Sequence, residues 1–476
     1  MNRFISVLIF FYCLSSMLVL NAQTDAIPLE NILSFEEYLG YVKKHHPLMK
    51  QAKLTLTMGE ANLLKARGGF DPKIEVDYDR KKFKDTEYYD QLNAAFKIPT
   101  WYGIELKANF EENTGAFLDP SLTVPDNGLY SAGISFSAAQ GLLINDRMAD
   151  LKKAKFFLEQ SKADQDLLVN NLLFEASKAY LDWLQFTNEQ QIYASFVENA
   201  ETRLNAVTRS SEVGETAAID ITEARITYQN RLLNLEEATL KQRKAALYAS
   251  NFLWIDNVPL EIEENVQPEA PLVEAFQLSL ALDDTNANIL LEEHPKLRSL
   301  DAKIGSLTVD RRLKRNRLLP KVDLQYNFLS TEYDQISSFN TANYKAFVNI
   351  SIPLFLRKER GDLRLANLKL QDANFERNGT TLSLQNKITA ARTEINSLGR
   401  QNELVKEIVE DYRTLVAAEE RKFSLGESSL FLINSREQKL IDASLKENEI
   451  TVKRLEAIAT LYNVLGISEE PGENFN

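Results

Sequence analysis

The feature that constrains this chain most is a run of roughly 70 residues without a helix breaker, because neither glycine nor proline occurs between Leu142 and Val213. Apolar residues recur along it at steps of three and four, the spacing of one helix face. They are Leu168, Leu172, Ala176, Ala179, Trp183 and Phe186. A helix of that length would extend roughly 100 Å at about 1.5 Å per residue. Its apolar stripe must pack laterally to be stable, so we expect coiled coils within or between chains.

The chain contains two related copies of one unit. The His-Pro pair at His46 and the one at His294 are 248 positions apart, whereas Gly214 and Gly426 are 212 positions apart in similar surroundings. Gene duplication is the simplest explanation of these matches. Because the offset falls by 36 residues between Pro72 and Leu151, the first copy carries an insertion there. Each copy is predicted to run helix, strands, long helix, turn, long helix.

Alternating apolar and polar residues predict strands between the helices of each copy. The pattern covers 73–79 and 130–137 in the first copy and 322–328 and 348–352 in the second. Two more candidate strands, Gln91–Pro99 and Gly103–Phe110, lie in the insertion. Half-buried strands of a soluble protein and strands of a membrane barrel both produce this alternation. Strand length, aromatic residues at strand ends and a predicted export signal favour the membrane barrel.

Residues 1–22 have the character of a secretory signal peptide, with one early charge, an apolar stretch and a small residue at Ala22. A single N-terminal membrane anchor is the alternative. The one cysteine of the sequence, Cys13, lies inside this segment. The exported chain is therefore expected to have no disulfide, no thiolate metal site and no cysteine nucleophile.

Charge and motifs argue against two broad classes of function. The formal net charge of -13 disfavours a nucleic-acid partner, which would need a basic face. The three histidines, His45, His46 and His294, belong to no catalytic or metal-binding motif, and the two that precede proline recur through duplication. No glycine-rich phosphate loop or Gly-x-Ser-x-Gly motif occurs. The sequence therefore predicts no enzyme, no catalytic residue, no metal site and no cofactor.

The duplicated unit, the Gly-x-(Ser/Thr) turns after the long helices and Pro353-Leu354-Phe355 at a strand exit together resemble the TolC family of outer membrane efflux proteins. The resemblance covers roughly 34–466. It implies a mainly α fold with a membrane β-barrel, in which a duplicated helix–β-hairpin–helix unit supplies a long coiled-coil α-helical barrel and a trimeric β-barrel. It also implies a homotrimer in the cell outer membrane, in contact with its lipid, with helices extending into the periplasm.

The predicted domain organisation follows the repeats. The signal peptide is 1–22, and the first repeat is 23–255, with strands about 73–138 and long helices about 142–254. An inter-repeat linker or equatorial segment covers 256–285. The second repeat is 286–467, with strands about 321–353 and long helices about 362–465, and 468–476 form a C-terminal tail.

The insertion leaves the strand number of the barrel open. The resemblance implies two strands per copy, hence four per chain and twelve in a trimer. If 83–113 adds two membrane strands, each chain supplies six and the trimer eighteen. Pro99 lies in one of these candidates and would remove a ladder hydrogen bond, so the extra hairpin is alternatively partly extracellular or a bulged rim.

The turns between the long helices are the candidate functional site. Gly214 and Gly426 are predicted to end helices in the left-handed conformation, with Thr216 and Ser428 capping the next helices. By resemblance, these turns form a periplasmic tip to which an adaptor protein docks. The docking residues are Val213, Gly214, Glu215 and Thr216, together with Leu425, Gly426, Glu427 and Ser428. An ordinary helical hairpin without a partner is the alternative.

Asp220 and Glu223 are predicted to line a pore constriction, because the resemblance implies inward carboxylates near the tip. The second copy has Leu432 and Ser435 at the corresponding places, so the aspartate ring of the family is absent there. A solvated helix face is the alternative role of both carboxylates.

The predicted function is an outer membrane exit duct of a tripartite efflux or type I secretion system. It would be a passive conduit gated at its periplasmic helical tip, working with a periplasmic adaptor (membrane fusion) protein and an inner-membrane pump. The alternative is a secreted helical coiled-coil scaffold or interaction protein with a soluble β-layer.

Overall fold

The computed structural model describes residues 32–270, 291–338 and 340–467. The predicted signal peptide, part of the predicted linker and the predicted tail lie outside these residues. The long helices of the two copies are α3 and α4 in the first and α6 and α7 in the second. The helices are α1 Phe35–His45, α2 Pro47–Arg67, α3 Asp146–Glu212, α4 Ala218–Ser250, α5 Pro295–Asn316, α6 Arg357–Ser424 and α7 Leu430–Leu465. No helix among them is both long and apolar enough to cross a membrane.

Six of the strands form one sheet, and the remaining four are two-residue pieces. The strands are β1 Ile32–Leu33, β2 Lys73–Phe83, β3 Thr86–Pro99, β4 Ile104–Thr114, β5 Leu129–Ala139, β6 Trp254–Ile255, β7 Val258–Pro259, β8 Gln267–Pro268, β9 Lys321–Ser330 and β10 Tyr344–Ser351. The four main strands of the first copy and the two of the second lie in the order β10-β9-β5-β4-β3-β2, and every neighbouring pair is antiparallel.

The described residues divide into two compact units, and each unit combines segments of both sequence copies. The first contains 32–46, 175–270 and 394–459, and the second contains 47–174, 291–338, 340–393 and 460–467. The units therefore do not coincide with the repeats, whose predicted boundaries remain a description of the sequence.

In the first unit, α7 packs against α3 and α6 through aliphatic side chains spaced by three, four or seven residues. Leu181 and Leu184 of α3 contact Val452 and Leu455 of α7. A second cluster joins α6 and α7 through Leu398, Val405, Ile450 and Ala457. A third joins α3, α6 and α7 through Phe196, Val409, Val416, Leu440, Ile441 and Ala443. Burying each large aliphatic side chain contributes about 1.5–3 kcal/mol, so lateral packing stabilises these helices. The predicted coiled-coil character is seen here within one chain.

In the second unit, the start of α3 packs against α5. Met148 and Ala149 contact Leu313, and Asn316 at the end of α5 donates a hydrogen bond of 2.8 Å to the carbonyl of Ile144. His294 begins α5, where its Nδ1 accepts from the backbone N–H of Lys296 at 3.0 Å and its Nε2 lies 3.1 Å from the carbonyl of Val464. These contacts give His294 a structural role at a helix start.

The main sheet exposes apolar side chains instead of burying them. Ile74 on β2 is 77% exposed and Ile350 on β10 is 67% exposed, although both belong to the apolar rows of their strands. Val322 and Leu324 on β9 are only half-buried. A soluble protein would cover such a face with its own core. This sheet instead carries an apolar surface that is suited to contact with lipid or with another protein.

Candidate functional site

The turn between α3 and α4 is a Schellman motif, which is a helix ending closed by two backbone hydrogen bonds. The N–H of Glu215 donates to the carbonyl of Ser210 at 2.9 Å, and the N–H of Gly214 donates to that of Ser211 at 3.1 Å. Gly214 has φ +80°, as the motif requires. A Cβ added there would meet no atom within 4 Å, so the backbone angle alone selects glycine. The left-handed conformation predicted for Gly214 is confirmed.

The turn between α6 and α7 repeats this geometry. Glu427 donates to the carbonyl of Lys422 and Gly426 to that of Phe423, both at 2.9 Å, and Gly426 has φ +76°. The prediction for Gly426 is therefore also confirmed. The two turns pack together, because Val207 and Ala224 near the first contact Leu430 near the second. We call the paired turns, 210–218 and 422–430, the tip.

The predicted caps are wrong in both turns. The residue that caps α4 is Ala217, which provides no side-chain hydrogen bond, and the Oγ1 of Thr216 is buried without a partner among the residues described. The Oγ of Ser429, not that of Ser428, accepts from the N–H of Leu432, at 3.4 Å. The Schellman turn places the helix start one residue later than the Gly-x-(Ser/Thr) spacing suggests, which moves the expected hydroxyls out of capping position.

Ser428 instead donates a hydrogen bond to Glu419, a carboxylate on the preceding helix. Glu419 is buried at 4% exposure and also contacts the Nε of Arg436 at 2.7 Å. The hydrogen bond from Ser428 is the main cause that lowers the pKa of Glu419. In the first copy, 212 positions earlier, Val207 corresponds to Glu419 and Ala224 corresponds to Arg436. The contacts of Glu419 with Ser428 and Arg436 were not predicted from the sequence. Aligning the two copies does show that polar residues replace Val207 and Ala224 at these positions.

Exposed apolar residues recur at matching positions of the tip. Val213 and Leu425 precede the two glycines and are 72% and 68% exposed. Ile219 and Phe431 lie in the first turns of α4 and α7, again 212 positions apart, and are 69% and 68% exposed. We call these four residues the tip patch. Large apolar side chains that remain exposed at corresponding positions of a duplication indicate a binding surface.

The two predicted constriction residues lie at the start of α4. Asp220 is in the first helical turn, where the helix dipole favours a carboxylate, and Glu223 follows one turn later. Both are half-buried, and neither forms an ion pair with any residue in the described ranges. Their place at a pore constriction stays a prediction.

A largely buried group of charges above the tip joins both copies. Glu437 on α7, only 1% exposed, pairs with Arg203 of α3 at 3.1 Å and with Arg231 of α4 at 3.5 Å. Arg203 also contacts Glu420 of α6 at 3.2 Å. Burial is the main cause that lowers the pKa of Arg231. These four residues, the charged cluster, tie four helices together. The sequence offered no local signal for it, because the partners are more than 200 positions apart.

Comparisons with known proteins agree with this geometry. Residues 286–467 match the family described as outer membrane efflux protein. The pyoverdine export outer membrane protein OpmQ of Pseudomonas putida is 21% identical over 318 residues, which cover 65% of this chain and 64% of OpmQ. The match thus spans less than two thirds of that relative's length.

Solved structures share the fold over nearly the whole chain. The CmeC outer membrane channel of Campylobacter jejuni has a TM-score of 0.64 at 14% identity and covers 90% of this chain and 85% of its own. The outer membrane protein VceC of Vibrio cholerae has a TM-score of 0.61 at 13% identity, with 90% and 95% covered. The mainly α fold with a membrane β-barrel is therefore confirmed.

The description of the matched family as outer membrane efflux protein agrees with the predicted transport class and outer membrane location. The duplicated unit, the six-stranded sheet and the match of residues 286–467 make this chain similar to the TolC family of outer membrane efflux proteins.

Proposed function

We propose that this chain is a homotrimeric exit duct that receives substrates from an inner-membrane pump through a periplasmic adaptor and releases them across the outer membrane. The observation that carries the proposal is the main sheet, which exposes an apolar face and has two open edges. Among the strands that the structure describes, β2 pairs with β3 alone and β10 pairs with β9 alone. Unpaired backbone groups are not tolerated in lipid, so the edges of identical sheets must join.

The hydrogen-bond pattern of β10 identifies the groups available for that joining. The N–H of Leu329 donates to the carbonyl of Asn343 at 3.0 Å, which makes these two residues a hydrogen-bonded pair. Since hydrogen-bonded and non-hydrogen-bonded pairs alternate, Phe347 bonds β9 while Val348 and Ile350 direct their backbone groups to the open edge. β10 is therefore ready to accept β2 of another copy.

The tip patch supports docking of an adaptor at the tip. Its four apolar side chains need a partner surface, and the proposed docking residues 213–216 and 425–428 surround them. An adaptor with an apolar, hairpin-like end would bury this patch without requiring specific charges. Asp220 and Glu223 would then lie immediately behind the docked adaptor, where carboxylates select the passage of cations over anions.

Opening would require the tip helices to move apart. The charged cluster opposes this movement, because separating α7 from α3 and α4 would leave Glu437 buried without its guanidinium partners. An adaptor opens the duct only to the extent that it binds the open state more tightly than the closed one. Transport energy comes from the pump, and the duct itself remains passive.

The test uses a proline at the open edge. Val348→Pro removes a backbone N–H that points to the open edge and bonds no strand among those described, whereas Val348→Thr keeps it. We expect detergent-extracted Val348→Thr protein to be a trimer on size exclusion with light scattering, and Val348→Pro protein to be a monomer with unchanged helical circular dichroism. A wild-type chain that is exported as a soluble monomer would contradict the duct and favour the secreted scaffold.

A further inference from the structure

The inserted segment of the first copy lies in the middle of the main sheet. On one side β3 pairs with β2, with Lys97 opposite Lys73, and on the other side it pairs with β4, with Pro99 opposite Glu105. β4 in turn pairs with β5. Without β3 and β4, the first copy would supply one hairpin, as the second copy does with β9 and β10. The inserted hairpin therefore separates β2 from β5, instead of decorating the rim.

Pro99 does not interrupt this arrangement. It is the last residue of β3 and lies two positions beyond Lys97, the last β3 residue that pairs with β2. A strand end is a position at which a missing N–H is tolerated. The expected break of the ladder, on which a partly extracellular hairpin depended, does not occur.

The apolar face continues through the inserted strands without a change of phase. Residues directly opposite one another across all six strands form an apolar row. That row is Ile74, Phe96, Ala108, Ala132, Phe328 and Tyr344. The next row contains Ile98, Leu106, Ile134, Tyr326 and Ala346. A one-residue slip would have turned the inserted strands over, so their register serves the same environment as the other four strands.

The opposite face of the inserted strands is polar and charged. Lys97 forms an ion pair with Glu75, and Glu105 contacts Lys107 at 4.0 Å and Arg147 of α3 at 2.7 Å. Asn93 and Asn109 share this face. Strands that are apolar on one side and carry ion pairs on the other are suited to separate lipid from a water-filled lumen.

We propose that β3 and β4 are membrane-spanning strands, so that a trimer of this chain closes an eighteen-stranded barrel. The inference rests on the proposed homotrimer. With strands about 4.8 Å apart and tilted by about 40°, eighteen strands give a diameter of roughly 36 Å, against roughly 24 Å for twelve. The outer-membrane mouth would thus take solutes too wide for a twelve-stranded barrel, leaving size selection to the tip and the pump.

Single-cysteine labelling tests the position of the hairpin in the membrane. In a Cys13→Ser background, Phe96→Cys and Ala108→Cys mark the apolar face of the inserted strands, and Asn93→Cys and Asn109→Cys mark the polar face. Ile134→Cys on β5 is the matched control for a strand outside the insertion. Spin labels on full-length protein in liposomes report collisions with oxygen, which concentrates in lipid, and with a nickel chelate, which stays in water.

We expect the labels at 96, 108 and 134 to favour oxygen and those at 93 and 109 to favour the chelate. Equal access of the chelate to both faces of the hairpin, with the control still favouring oxygen, would overturn the inference. If the control also favours the chelate, the sheet is not in a membrane and the proposed function fails with it.

Electron cryomicroscopy of the trimer provides the second measurement. We expect eighteen strands in the wild type and a barrel about one third narrower when 84–114 is deleted, because β2 can then pair with β5 in the same facial phase. A trimer with twelve strands in the wild-type wall would overturn the inference and leave the duct intact. If the deletion variant fails to assemble, the strand count of the wild type decides.

Discussion

The two turns of the tip have the same backbone and different interiors. Both end a long helix in a Schellman motif with a left-handed glycine. In the second turn, Ser428 donates a hydrogen bond to the buried carboxylate of Glu419, which also contacts Arg436. In the first turn, Val207 stands at the position of Glu419 and Ala224 at that of Arg436. Duplication thus kept the geometry that backbone sterics require, while the interior diverged. The difference predicts that the second turn depends on charge and the first on apolar contact.

The largest expected effect comes from the buried charge of the second copy. Glu437→Gln leaves Arg203 and Arg231 without their shared carboxylate, and breaking a buried pair on one side costs about 3–5 kcal/mol. The matched control is Arg225→Gln, because Arg225 occupies the equivalent position of the first copy and is exposed. Its expected change is below about 0.5 kcal/mol. Urea unfolding followed by circular dichroism measures both, and equal effects would refute the asymmetry.

Substituting the two glycines tests the left-handed backbone conformation that both turns share. Gly214→Ala and Gly426→Ala each force a Cβ into the left-handed region, which costs about 1–2 kcal/mol. Both sites are open, so no steric difference is expected between them. Thermal unfolding of the two variants should give similar shifts. A shift confined to one variant would show that the turns are not equivalent in backbone strain.

Acid should weaken the second turn selectively. The lowered pKa of Glu419 means that the folded state holds its carboxylate ionised more strongly than the unfolded state does. Its contribution to stability is therefore complete above the unfolded value of 4.5 and is lost as the pH falls below it. We expect Glu419→Gln to unfold more easily than the wild type at pH 7 and to lose less stability between pH 5 and pH 3. Parallel pH profiles would contradict this assignment.

The smallest effects distinguish the two hydroxyls. Thr216→Val replaces a buried hydroxyl without a described partner by a group of the same shape, so stability should stay the same or rise by less than about 1 kcal/mol. Ser428→Ala removes a hydrogen bond to a carboxylate and should lower stability. Differential scanning calorimetry of both variants provides the comparison. Destabilisation by Thr216→Val would mean that its hydroxyl is used.

The fold could be predicted largely because its signals are local. The absence of glycine and proline between Leu142 and Val213 predicted a helix that the structure shows from Asp146 to Glu212. Alternation located β2, β5, β9 and β10, and the glycines located both turns. These features depend on backbone freedom and on side-chain periodicity, and both are determined by residues that are close together in the sequence.

The missed features depend on residues that are distant in the sequence. Nothing near Glu437 shows that it meets Arg203 and Arg231, and nothing near Ser428 shows that Glu419 reaches it across the turn. The capping role predicted for Thr216 failed because the Schellman turn shifts the start of α4. The membership of β3 and β4 in the sheet likewise required knowledge of long-range pairing.

The central claim is that open sheet edges of identical chains join in the outer membrane. Native mass spectrometry of the protein extracted by detergent from outer membrane fractions tests it most directly. The account predicts a particle of three chains that dissociates on heating and is absent from the soluble periplasmic fraction. A single chain that is soluble without detergent would contradict it.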